Sequence, residues 1–342
     1  MQIVSKFLAM LALTILVSAA AARAQGGNAT ELLRQAIDAP NTVSYVGQVQ
    51  NLEFGSSKAE ASIFRIEHDS PNLTRRWYVA PQTLYGDSII SRGDTSYNVD
   101  VKTNRVIVTK DDAIDDQVAQ DDNFALLSRN YRAISGTDEN VAGRPALSIL
   151  LVNKYTGQTV MRIWLDSQTK LVLQKEQYGS NGSVIRQMRF EQIRFVKDLP
   201  DGIFSVPSKG FSRVQGTTTG IPSNDLAGAV RTAGFKARGP RYLPDGFTPV
   251  AADVTDIKGI RTLHLLYSDG VRTVSLFENA RGAAVDLSHY RSHPTKVSQS
   301  DAQYVEDGPI TLLAWAAEGL HFAVVGELNL AELGKIAASV VP

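Results

Sequence analysis

The sequence predicts an α+β protein in two parts: a large, curled antiparallel sheet closed by helices, then a smaller α+β domain. Three observations predict it. After Pro40 the apolar residues recur at every second position, the period of a strand with one buried face. Glycine- and asparagine-containing turn signals break these runs at hairpin intervals, so neighbouring strands run antiparallel. A Gly/Ser/Thr-rich stretch over residues 208–222, with Gly216-Thr217-Thr218-Thr219-Gly220 at its centre, separates two segments that each carry their own strands and helices.

The chain opens with an export pattern. Lys6 precedes an apolar run from Phe7 to Val17, and small residues follow to Ala24. Ala22-Arg23-Ala24 satisfies the small-x-small cleavage rule, so residues 1–24 read as a signal peptide cut before Gln25. The run is shorter than the roughly 20 apolar residues that span a bilayer. The sequence holds no cysteine, which removes disulfides and a lipid anchor on the residue after the cut. Losing Lys6 and Arg23 turns a balance of 35 basic and 35 acidic residues into a net charge of about −2. A near-neutral chain has no sequence-wide attraction for nucleic acid. The expected location is outside the bacterial cytoplasm, in soluble form.

Residues 25–207 form the first predicted domain. Gln25 to Asp38 reads as a helix, with Leu32, Leu33, Ala36 and Ile37 on one stripe and a capping-box spacing from Asn28 to Glu31. Strands follow around Val43–Val49 and Ala59–His68, then at Trp77, at Ile89 and at Val106, with turns at Arg92-Gly93-Asp94 and Lys102-Thr103-Asn104. Asp111 to Asp122 holds six aspartates and reads as a solvated loop. A short helix is expected to carry Phe124, Leu127 and Tyr131. Strands resume over Ala146–Val152, Thr159–Leu165, Lys170–Tyr178 and Val184–Phe195, with Asn181-Gly182 as the strongest hairpin dipeptide.

Residues 223–342 form the second domain. A helix is expected near Asp225–Ala233. Strands follow at Thr248–Val254, Arg261–Tyr267, Val271–Phe277, Ile310–Ala316 and His321–Gly326. The last element is a helix from Asn329 to Val340 with Asn329 as its cap and Glu332 at the third position.

Catalytic machinery has no signature here. There is no Cys, no G-x-S-x-G elbow, no P-loop, no G-x-G-x-x-G and no H-E-x-x-H. His289 and His293, with Asp286 nearby, lack a third metal ligand at matching spacing and read as a polar segment before Pro294. The aspartate run lacks the ligand alternation and glycine of a calcium loop. No enzyme activity, cofactor or metal is expected. The positive clue is burial: a sheet this large curls, and two short helices leave part of its apolar inner face to line a cavity for an acyl chain. An ordinary packed core is the alternative. By strand alternation and size, the lining candidates are Tyr45, Phe64, Trp77, Trp164 and Leu173.

The order of several short motifs resembles the MucB/RseB family. They are Val43-Ser44-Tyr45-Val46-Gly47, Arg65-Ile66-Glu67-His68, Val141-Ala142-Gly143-Arg144-Pro145-Ala146, and Trp164-Leu165-Asp166 with Thr169 and Leu171. The second domain adds Leu243-Pro244-Asp245-Gly246-Phe247 and Leu263 to Gly270 running into Val274-Ser275-Leu276-Phe277. Val79-Ala80-Pro81, where the family often has Leu-Asp-Gly, and the aspartate run depart from the pattern. The resemblance implies a LolA-like half-barrel followed by a smaller α+β domain. It also implies a periplasmic negative regulator of sigma-factor signalling in the envelope stress response. Such a protein binds the periplasmic segment of a membrane anti-sigma factor, protects it from proteolysis and senses lipid, lipopolysaccharide or lipoprotein acyl chains. The competing expectation is a lipoprotein or lipid carrier, which would need no second domain.

Overall fold

The computed structural model describes residues 28–55, 59–110, 120–215, 226–257, 260–280, 287 and 290–340. The signal peptide, the aspartates before residue 120, the Gly216–Gly220 centre of the linker, Asp286 and His289 lie outside the described residues.

Residues 28–38 form helix α1, and its stripe is as the periodicity requires, with Ala29, Leu33 and Ala36 buried. A 3-10 turn at Ala39–Asn41, with Pro40 in its first positions, ends it. The strands β1 (Ser44–Phe54), β2 (Ala59–Asp69), β3 (Leu73–Ala80), β4 (Ser88–Arg92), β5 (Thr95–Asp100) and β6 (Arg105–Lys110) then form an antiparallel meander. After helix α2 (Gln120–Asn130) come β7 (Tyr131–Ser135), β8 (Glu139–Val141), β9 (Arg144–Asn153), β10 (Thr159–Asp166), β11 (Val172–Tyr178) and β12 (Val184–Val196). β12 returns to pair with β1, and with β13 (Ser212–Gln215) beyond β6 this joins the two halves into one open sheet ordered β13-β6-β5-β4-β3-β2-β1-β12-β11-β10-β9-β7. Its edges, β13 and β7, do not pair with each other. Helices α1 and α2 pack at the β7–β9–β10 end, where Leu33, Leu127, Ile149, Leu151, Ile163 and Leu165 form one cluster.

Register explains the glycine in the first motif. Gly47 pairs with Ile66 on one side and Ile193 on the other. A Cβ there would stand 2.6 Å from the Gln192 carbonyl and 2.8 Å from the Phe190 ring, so the site admits only glycine without repacking.

Three expectations are corrected. Tyr131 opens β7 instead of continuing the helix: α2 stops at Asn130, whose carbonyl accepts from Lys154 N. Ser212–Gln215 is not linker. It is β13, parallel to β6, and Phe211 beside it packs on Ile90, Val99 and Val106. Lys170 belongs to the turn after β10 and has φ 64°.

The second unit holds α3 (Leu226–Thr232) and a separate antiparallel sheet ordered β14-β15-β16-β20-β19-β18-β17. Its strands are β14 (Thr248–Ile257), β15 (Ile260–Ser268), β16 (Thr273–Asn279), β17 (His293–Val297), β18 (Ser300–Asp307), β19 (Ile310–Ala317) and β20 (Leu320–Gly326). β17 and β18 were not expected from the sequence. They place His293 in a strand, its ring 5.3 Å from that of Tyr304. Helix α4 (Leu330–Val340) is capped as predicted, with Asn329 Oδ1 accepting from Glu332 N at 2.9 Å. It buries Leu333, Ile336 and Ala337 against Leu263, Leu276, Leu313 and Val324. Each fully buried side chain of this size contributes about 2 kcal/mol relative to exposure.

Candidate functional site

Four of the five predicted lining residues come together. Tyr45, Phe64, Trp164 and Leu173 belong to one cluster and are 7%, 6%, 2% and 0% exposed. They pack among neighbouring rings: Tyr45 meets Phe190 edge-on at 5.8 Å, and Phe64 lies 5.6 Å from Tyr78. Burial pushes the Tyr45 hydroxyl up to about 12. Trp77 does not join them. It pairs across strands with Arg65 and Ser88, and so stands on the sheet face opposite Phe64. β3 carries an extra residue, Val79, opposite the Ile63–Phe64 step, and the face that Trp77 takes follows from its register with Arg65, which a linear reading does not contain.

Two family-like motifs meet through one ion pair. Asp166 Oδ2 accepts from Arg144 Nε at 2.5 Å, and its Oδ1 accepts from Thr169 N at 2.8 Å and Thr169 Oγ1 at 2.9 Å. Burial alone would raise this carboxyl. The Arg144 guanidinium and the Thr169 donors outweigh it and hold the group below the ordinary range.

The junction between the two sheets is built from residues far apart in sequence. Asn130, fully buried at the end of α2, donates through Nδ2 to the carbonyls of Gly246 at 2.8 Å and Asp269 at 2.9 Å. Those acceptors lie in the Leu243–Phe247 and Ser268–Gly270 motifs. The second turn is held by Asp269 Oδ1, which accepts from Val271 N at 2.9 Å and Arg272 N at 2.7 Å. Gly270 has φ +96°, and a Cβ on it would stand 3.0 Å from Leu127 N, so the turn approaches α2 as closely as backbone allows. A second tie runs from the first sheet to the end of β20. Arg186 of β12 pairs with Glu53 of β1 at 3.1 Å and with Glu327, which also accepts from Gln177 Nε2.

Beside these ties lies a groove of about 530 Å³. Its floor is the outer face of the second sheet, with Val305, Leu312 and Val325 in lateral register across β18, β19 and β20. Leu287 and the half-exposed Tyr290 flank it, and Glu53, Glu60 and Asp307 rim it. An apolar floor with a carboxylate rim suits an extended or helical segment bearing aliphatic anchors and basic neighbours. Among the described residues there is no group of three metal-ligating side chains, and no helix is long and apolar enough to cross a membrane.

The sequence model of the MucB/RseB N-terminal domain matches residues 28–207. The chain belongs to the MucB/RseB family. A second model, a domain of unknown function (DUF4367), matches residues 238–340. No curated protein sequence matches the chain. Among solved structures, the Pseudomonas aeruginosa MucA/MucB complex is similar with a TM-score of 0.63 at 16% identity, over 92% of this chain and 99% of that one. MucB in complex with MucA(peri) gives 0.63 at 17% identity, over 92% and 98%. MucB by itself gives 0.53 at 15% identity, over 92% and 97%. These likenesses establish that the MucB fold extends over both sheets of this chain.

Proposed function

We propose that this MucB/RseB protein is a non-catalytic periplasmic regulator that binds the periplasmic segment of a membrane anti-sigma factor and protects it from proteolysis. The observation that carries this reading is the likeness over both sheets to MucB, a protein solved with MucA(peri). The groove floored by Val305, Leu312 and Val325 is the binding surface we assign to that segment, because it is apolar, acid-rimmed and bounded by both units. Amphiphile sensing is the second half of the proposal. A lipid, lipopolysaccharide or lipoprotein acyl chain would enter by parting the Tyr45–Phe64–Trp164–Leu173 cluster and would loosen the partner from the junction.

The test is a pull-down with the immobilised chain from Gln25 onward. It should retain an anti-sigma periplasmic segment from the native envelope and slow proteolysis of that segment. Tyr290→Ala, at a position 54% exposed, should weaken capture roughly tenfold without loss of fold. Lipopolysaccharide should release the captured segment. Failure to retain any such segment sinks the regulator. Capture that lipopolysaccharide does not disturb removes the sensing half alone.

A further inference from the structure

The face of the first sheet that carries Trp77 is a cationic surface. Lateral pairing places Arg194, Val46, Glu67 and Arg75 in one row across β12, β1, β2 and β3. The next row is Gln192, Gln48, Arg65 and Trp77. Arg189 follows on the same face through its pairing with Gln50. Strands about 4.8 Å apart put these side chains on a patch roughly 15 Å across. Arg65, Arg189 and Arg194 are exposed, and Arg75 and Trp77 are half-buried. The guanidiniums of Arg65 and Arg75 lie 5.4 and 5.9 Å from the Trp77 ring centre. The carboxylates on this face are Glu67, Asp69, which accepts from Ser44 Oγ at 2.8 Å, and Glu191, hydrogen-bonded to Gln48. Four arginines therefore face three acids, in a chain whose basic and acidic residues balance overall. Burial raises the Glu67 carboxyl, against the lowering effect of Arg75 and Arg65.

We propose that this face docks on an anionic lipid bilayer. The surface fits in three ways. Guanidiniums recognise phosphate through paired donors. An indole ring with one polar edge is the side chain that settles at the headgroup layer. The arginines stand side by side on one sheet face, so an extended anionic surface can meet them together. The contact is separate from the partner groove and gives a chain with no described membrane-spanning helix its own hold on the membrane.

The test uses the chain from Gln25 onward and sedimentation with vesicles of phosphatidylcholine alone, or with a quarter of it replaced by phosphatidylglycerol. The protein should partition onto the anionic vesicles and not the neutral ones, and half-molar salt should release it. Arg65→Gln/Arg189→Gln/Arg194→Gln, at exposed positions, should melt as the parent does and bind about 100-fold more weakly, taking the usual gain per basic residue at an anionic surface. Trp164 and Trp315 are 2% and 5% exposed, so quenching of tryptophan fluorescence by brominated phosphatidylglycerol should report Trp77 and vanish in Trp77→Phe. Equal binding to both vesicle types, wild-type partition of the triple variant, or absence of quenching in the bound parent protein would each overturn the proposal.

Discussion

Arg144 and Asp166 form a hydrogen-bonded ion pair of 2.5 Å in which the aspartate side chain is wholly out of solvent. It holds the start of β9 against the end of β10, and through Asp166 it also holds the tight turn that leads to β11. Arg144→Met should therefore cost about 3 kcal/mol, because it leaves a buried carboxylate without its cation. Urea denaturation at neutral pH measures this. Asp166 has a lowered folded pKa, so its contribution is present above about pH 4 and is lost as pH falls through the folded value. The acid limb of the parent's stability curve should accordingly be steeper than that of Asp166→Asn.

Glu278 predicts the opposite slope. Its side chain is fully buried on β16, where Oε2 accepts from Arg238 N at 2.7 Å, and burial pushes its pKa up to about 7. Between its ordinary value near 4.5 and pH 7 the unfolded chain releases the proton first, so stability falls as pH rises. Glu278→Gln keeps the acceptor and removes the charge. It should raise stability above pH 7 by on the order of 3 kcal/mol and leave it unchanged near pH 4. Melting curves of both proteins across that range decide it, and parallel curves would count against the assignment.

His68 gives a third pH signature. Its Nε2 donates to the Pro40 carbonyl at 2.7 Å, so Nδ1 is the neutral acceptor for Thr74 Oγ1 at 2.8 Å. Burial lowers its pKa below 6.5. The stability it contributes is present above pH 6.5 and lost as pH falls through the folded value. Thr74→Val should cost about 1 kcal/mol at neutral pH and leave the β2–β3 register intact, as amide exchange of the two strands would report.

The junction gives a fourth prediction. Asn130→Ala leaves the Gly246 and Asp269 carbonyls without their donor, and Gly270→Ala forces a methyl towards Leu127 N at a positive φ. Each should weaken the coupling of the two units by about 2–3 kcal/mol. Calorimetry should then resolve two transitions where the parent shows one, and protease sensitivity should rise near residues 243–247.

The regular elements were largely legible. Alternation located β1 and β2, a continuous apolar run located β9, and turn signals such as Asn181-Gly182 bounded β10 to β12. Asn329 and Glu332 located the start of α4 for a local reason as well, since a cap is satisfied within one turn. β17 and β18 were missed. β17 alternates in burial, but its inward positions His293 and Thr295 are polar, and in β18 Tyr304 and Val305 are adjacent, so the sequence shows no apolar period of two. β13 was missed because Ser212–Gln215 has only Val214 to offer as a strand signal, and its parallel pairing with β6 is a tertiary event.

The candidate site was legible only in part. Tyr45, Phe64, Trp164 and Leu173 converge because size and alternation are enough to assign a residue to a buried face. Trp77 has the same size and the same alternation, yet it stands among arginines, because the pairing with Arg65 decides which face this β3 residue occupies.

The sequence by itself determined the two-part α+β plan and most of the strands, because these follow from local periodicity, caps and turn chemistry, and the order of its motifs carried the resemblance to the family. Only the tertiary structure decided that Asn130 holds Gly246 and Asp269, that Arg186 reaches Glu327, and that Trp77 belongs to a cationic surface. Those relationships join residues more than a hundred positions apart or depend on strand register, and no local property of the chain encodes either.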